Sequence, residues 1–144
     1  MNKNKKGFTL IELLVVVAII GLLATLSIVA LNNARARARD ARRVADVKQI
    51  QTALELYYND NGTYPTLPAS PTTIATGSGA SSTYYMNIVP TAPKPFDGDC
   101  TDAQNTYTYA TQLSNRSYTI AYCLGSDTGG IGKGVRTATP AGIR

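Results

Sequence analysis

The sequence has no histidine and no tryptophan, and its 144 residues include only two cysteines and two phenylalanines. Without histidine there is no Ser-His-Asp or Cys-His nucleophile and no HExxH zinc site, and two cysteines are too few for a Cys-rich metal cluster. An enzyme on the same scaffold therefore lacks the usual nucleophile–base pair. The length allows one domain and a tail, with no room for a second folded domain. Acidic residues are scarce, nine against fourteen Lys and Arg, and the imbalance is local. Residues 1–7 carry +3, residues 8–48 a further +3 and residues 49–144 carry −1. The basic excess flanks an apolar run, which points to a membrane before it points to nucleic acid.

That run, Phe8 to Leu31, has no proline and a single ionisable group, Glu12. As a helix of 24 residues at about 1.5 Å each it reaches roughly 36 Å, enough for the ~30 Å hydrocarbon layer. A soluble core helix apolar on every face would be out of proportion to a domain this small. A cleaved secretory signal would have a shorter apolar core and an A-x-A-like site, and here such strings occur only in the basic stretch Ala34–Ala38. Basic residues on both sides leave the orientation open by charge alone. Two cysteines in the C-terminal part make sense in an oxidising compartment, so the N-terminus is taken as cytoplasmic and the domain as exported. Glu12 is the anomaly. Even near the end of a span a carboxylate is costly, since acidic groups at the centre cost about 2.5–3.5 kcal/mol, and such a group usually has a partner.

Lys5-Lys6-Gly7-Phe8-Thr9-Leu10-Ile11-Glu12-Leu13, followed by the apolar run, resembles the class III signal of type IV pilins and type II secretion pseudopilins. The resemblance implies that Gly7 is the last leader residue cut by prepilin peptidase, that Phe8 becomes the N-methylated first residue, and that Glu12 serves subunit docking. Glu12 would then lie five residues into the mature chain. A neighbour staggered by about one turn would bring its new amine to that carboxylate. Val29 stands where many members carry proline, so a proline kink there is not implied. The implied partners are further copies of the chain in a filament, prepilin peptidase, an inner-membrane assembly platform and membrane lipid. The implied location is the inner membrane before assembly, then a cell-surface or periplasmic filament.

Beyond Leu31 the sequence favours helix up to Asn61, where Asn59-Asp60-Asn61-Gly62 and Pro65 supply a stop. Val44, Val47, Ile50, Leu54, Tyr57 and Tyr58 fall within an arc of roughly 140°, with Leu56 outside it. The arginines from Arg35 to Arg43 invite a nucleic-acid reading. Lipid head groups, or acidic groups in a packed assembly, are the stronger expectation for arginines just outside a span. The ending ELYYNDNGTYP is similar to the helix end of major pseudopilins.

Residues 66–83 read as a Ser/Thr/Pro/Gly-rich surface loop, and Tyr84 to Val89 as a short helix or strand. Thr106–Ala110 and Ser117–Leu124 alternate as an antiparallel pair, with Tyr118, Ile120, Tyr122 and Leu124 on one face to pack on the helix. A third strand is expected around Val135 to Thr139. Gly129 to Gly134 fails the phosphate-loop pattern, because Lys133 is followed by Gly134. Cys100 and Cys123 are expected to pair, restricting the unfolded chain by roughly 3–3.5 kcal/mol in the entropic model, with two free thiols as the alternative. Such a bond resembles the C-terminal disulfide of type IV pilins, which many major pseudopilins lack. Asp97, Asp99 and Asp102 are candidate Ca²⁺ ligands, the alternative being a solvated acidic loop; no other cofactor is expected.

The expected architecture is α+β and pilin-like. Residues 1–7 form a leader, 8–31 a transmembrane and assembly helix, 32–61 its amphipathic continuation, and 62–144 a small exported β domain. The expected function is a structural prepilin polymerising into a type IV pilus or a type II secretion pseudopilus, not catalysis. The alternative is a monomeric membrane-anchored surface module that captures DNA or glycan.

Overall fold

The computed structural model describes residues 7–77 and 82–144, so Lys3, Lys5 and Lys6 of the expected leader lie outside the described residues. Helix α1 runs from Leu10 to Asn61. It is followed by β1 (Ile74–Thr76), β2 (Thr83–Met86), a 3-10 turn (Asp102–Gln104), β3 (Thr108–Gln112), β4 (Ser117–Leu124), β5 (Gly134–Thr139) and β6 (Gly142–Ile143). The chain divides into two compact units, Met1–Arg35 and Ala36–Arg144.

In the first unit every residue from Gly7 to Arg35 is exposed. The helix it belongs to is long and apolar enough to cross a membrane. Val29 lies within unbroken helix. The two hydroxyls inside the apolar run are turned back on the helix, Thr25 Oγ1 donating to the Leu22 carbonyl and Ser27 Oγ to the Leu23 carbonyl, both at 2.8 Å. Hydroxyls satisfied in this way need no water.

In the second unit the helical stripe packs into the domain core except at Tyr58, which is exposed. Val47, Ile50 and Leu54 are buried with Tyr118, Ile120, Tyr122 and Leu124 in one apolar cluster, while Leu56 stays exposed. Full burial of each large aliphatic chain is worth about 1.5–3 kcal/mol, so this contact dominates the domain's cohesion. The helix stops where Gly62 adopts a φ of +71°, its N–H bonding the Tyr58 carbonyl at 2.7 Å. Glycine adopts that left-handed conformation without the steric cost a Cβ brings.

The sheet order is β3-β4-β5-β6, all antiparallel, with Tyr109 opposite Ile120 and Ile120 opposite Ala138. The β3–β4 turn places Leu113, Ser114 and Asn115 in succession at positive φ. It is held from outside, because Tyr64 N–H donates to the Asn115 carbonyl at 2.8 Å and Asn115 Nδ2 to Thr66 Oγ1 at 2.9 Å. Cys100 and Cys123 form a disulfide, Cα atoms 6.0 Å apart, tying the 97–100 loop to the end of β4.

One expectation needs correction. The segment 66–83 is not loop throughout: β1 lies within it and pairs with β2, and Ile74 is fully buried. Of the two alternatives for Tyr84 to Val89 the strand is the one formed, with β2 ending at Met86. Strand β6 was not expected, because two residues are too few to show an alternation.

Candidate functional site

At the N-terminus of α1, Thr9 N–H and Thr9 Oγ1 both donate to Glu12 Oε2, at 2.8 and 2.7 Å, and Glu12 N–H lies 3.3 Å from Thr9 Oγ1. This is a reciprocal capping box of the pattern Thr-x-x-Glu. It satisfies backbone groups that a helix start leaves open. Glu12, expected to need a partner from another subunit, has this local one, and the four-residue Thr-x-x-Glu signal for it is legible in the sequence. Gly7 and Phe8 precede the cap directly, and Phe8 is exposed. Among the described residues no structural contact distinguishes Gly7, around which a Cβ would meet nothing within 4 Å.

The second constellation lies in the domain, on the helix turn from Arg39 to Arg43. Arg43 and Asp40 are buried, at 1% and 0% exposure. Arg43 Nη1 donates to Asp40 Oδ1 at 2.7 Å and to Asp97 Oδ2 at 3.0 Å; Nη2 donates to the Pro93 and Pro95 carbonyls at 3.0 and 3.1 Å; Nε donates to Asn105 Oδ1 at 3.1 Å. A guanidinium has five N–H donors, and all five are used. Arg39 grips Asp97 with two nitrogens, Nε at 2.8 Å and Nη2 on the other oxygen. Asp40 in turn accepts from Gly125 N–H at 3.1 Å and from Ser126 N–H and Oγ at 2.9 and 2.7 Å. Two cations and two carboxylates thus cancel, and the charges are hydrogen-bonded as burial requires. The Arg39 hydrogen bonds hold the Asp97 carboxyl below the ordinary carboxylate range against the upward pull of burial, and Arg43 adds to the depression.

The expectation that the whole arginine run faces lipid or a neighbour is therefore corrected for two members. Arg39 and Arg43 are spent inside their own domain, whereas Arg35, Arg37 and Arg42 remain exposed. The calcium expectation meets the same obstacle. Asp97 faces the two arginines and Asp99 pairs with Lys133 at 3.2 Å, while Asp102 is exposed and only loosely placed, 3.8 Å from Lys94. Among the described residues no group of three ligand side chains is placed to hold a metal ion.

Further along α1 the helix carboxylates take tyrosine hydroxyls. Tyr107 donates to Asp46 at 2.8 Å, Tyr64 and Tyr118 to Glu55 at 3.0 and 3.3 Å, and Tyr85 to Asp60 at 2.9 Å. Burial and then the Glu55 hydrogen bond push Tyr64 up to about 12. Burial and then the Asp46 bond raise Tyr107 above its ordinary value. These tyrosines pin the domain onto its helix.

Residues 2–28 match the family profile described as the prokaryotic N-terminal methylation motif. The chain carries a prokaryotic N-terminal methylation motif. The motif encloses the Thr9–Glu12 cap and most of the apolar run. The chain is 36% identical over 66 residues to the type II secretion system core protein G of Dickeya chrysanthemi, covering 46% of this chain and 43% of that one. It is 40% identical over 68 residues to the core protein G of Vibrio cholerae, 46% and 47% of the two chains. With the type IV major pilin protein PilE1 of Neisseria gonorrhoeae the identity is 35% over 102 residues, 68% of this chain and 48% of the pilin. The chain thus spans about half the length of the curated relatives it matches. No solved structure matches it significantly.

Proposed function

We propose that this chain is a structural subunit of a type IV pilus or pseudopilus, held in the inner membrane by Phe8–Leu31, with its domain exported, until it enters a filament. The observation that carries the proposal is the coincidence of a matched methylation motif over residues 2–28 with a helix whose apolar surface is exposed from Phe8 to Leu31. Such a surface requires lipid, or the same surface of other copies, around it. Cleavage after Gly7 would free an amine on Phe8, the site of methylation, one residue before the Thr9 cap. Glu12 would then carry two jobs in turn. In lipid its charge is held by Thr9; in the filament it would meet the amine of an adjacent copy, exchanging a local hydrogen bond for an ion pair in a water-poor core. Prepilin peptidase and an inner-membrane assembly platform are the partners this sequence of events needs, and the mechanism is polymerisation.

Between the two branches, similarity to the pilin reaches over 102 residues, well into the domain, while that to the secretion proteins ends within about 68. Together with the disulfide this favours the pilin branch. The experiment is mass spectrometry of the protein from cells, joined to imaging of the sheared fraction. The expected result is a mature chain starting at methyl-Phe8 and recovered in filaments. An intact Met1 start, or a processed protein that stays wholly with the membrane, would refute this reading and favour the monomeric anchored module.

A further inference from the structure

On one side of the globular unit a cleft of about 790 Å³ runs between two stretches of irregular chain, within the ~300–1,000 Å³ typical of small-molecule sites. Its floor and walls are apolar, formed by Pro71, Ile88, Val89 and Pro93, and Ile88 is 82% exposed without any cover. Two cations line it, Arg42 and Lys94, and no carboxylate does. Both cations are loosely engaged. Arg42 stands 3.9 Å from Asp46, whose nearer bond goes to Tyr107, and Lys94 stands 3.8 Å from an Asp102 that is itself exposed. At those separations the pairs are longer than charge-assisted hydrogen bonds, so both cations remain available.

The cleft is also held in shape. Behind one wall the buried Arg43 takes the Pro93 and Pro95 carbonyls and the Asn105 side chain, and Asn105 Nδ2 adds a bond to the Pro93 carbonyl at 3.2 Å. The opposite wall is stitched by Val89 N–H to the Thr72 carbonyl at 2.8 Å. A preformed apolar trough whose lining charges are both positive, their carboxylate neighbours standing outside the lining, discriminates by charge as well as by shape.

We propose that this cleft binds a small organic anion with an apolar ring or chain, the apolar part lying on Ile88 and the prolines and the anionic group meeting Arg42 and Lys94. The proposal rests on neither leader cleavage nor polymerisation. It is tested on the full chain, ¹⁵N-labelled and solubilised in a nonionic detergent, by titrating 4-phenylbutyrate while following amide shifts. 4-Phenylbutanol, which lacks the charge, and acetate, which lacks the ring, are run in parallel. Phenylbutyrate is expected to move the Thr72, Ile88, Lys94 and Thr106 amides saturably, with both analogues at least about fivefold weaker, as for one partly exposed charge contact. The double variant Arg42→Gln, Lys94→Gln should weaken phenylbutyrate about fivefold or more while leaving the Tyr118 and Ile120 amides unmoved. If that variant fails to fold, Lys94→Gln alone and Ile88→Ser serve the same purpose, each with a loss of twofold or more. Absence of saturable shifts, shifts centred elsewhere, equal affinity for either analogue, or variants that bind as the parent does would each overturn the proposal.

Discussion

Asp40 and Ser126, 86 residues apart, are joined twice: the serine's N–H and its hydroxyl both donate to the same carboxylate oxygen, at 2.9 and 2.7 Å. With Arg43 on the other oxygen, Asp40 fastens the strand end just beyond Cys123, as Arg39 and Arg43 fasten the loop just before Cys100. One turn of helix thereby holds both flanks of the disulfide loop.

Asp40→Ala should therefore be among the most damaging substitutions in the domain. It leaves Arg43 buried with one carboxylate partner and strips both Ser126 donors of their shared acceptor, a change expected to cost about 3–5 kcal/mol. Chemical denaturation of the detergent-solubilised protein checks this, and a loss below 1 kcal/mol would show the network to be energetically idle.

Acid should loosen the same grip. The folded carboxyl of Asp97 lies below its unfolded value of about 3.9, so its contribution is fully present above about pH 4 and is lost as the pH falls through the folded value. Stability measured between about pH 5 and pH 2 should fall, and Asp97→Asn should be less stable at neutral pH yet show a shallower fall. Parallel pH curves for the two proteins would count against the assignment.

Gly98 has a φ of +58°, and a Cβ there would run into the backbone of Gly125. Neither side is a flexible side chain that can swing away. Gly98→Ala should cost about 2–4 kcal/mol from the left-handed backbone and overpacking together, measured by thermal melting with the disulfide intact.

Glu12→Ala should leave the domain folded and membrane insertion intact, since the span becomes more apolar, while reducing filament yield when it is the sole subunit. Thr9→Ala removes the hydroxyl of the cap and keeps the carboxylate. It should therefore assemble better than Glu12→Ala if pairing between subunits dominates. Equal and normal filament numbers from both, imaged after shearing, would make Glu12 a helix-capping residue only.

The parts legible from sequence were those set by local period and local chemistry. Val47, Ile50 and Leu54 declare a helix face, Tyr118 to Leu124 a strand face, and Gly62 with Pro65 a stop. Thr9 and Glu12 were equally local, but the cost of a charge in lipid drew the reading away from their spacing. What the sequence concealed depends on partners far along the chain. Arg39 and Arg43 look like Arg35 and Arg37 in composition, and partners more than 50 residues later, Asp97 above all, separate the engaged pair from the exposed one. Nothing local tells which tyrosines will find Asp46, Glu55 or Asp60. The acidic loop was read as one cluster because its three aspartates are close in sequence, whereas the fold turns each towards a different cation.

The long separations in the Arg39–Arg43 network bear on how such a chain reaches its shape. A polypeptide emerging N-terminus first presents Arg39, Asp40 and Arg43 long before Asp97, and longer still before Ser126. The helix is available at once, while its electrostatic complement arrives last. Closing loops of that size delays non-local pairing relative to helix formation. During that interval the turn from Arg39 to Arg43 stands without its distant hydrogen-bond partners.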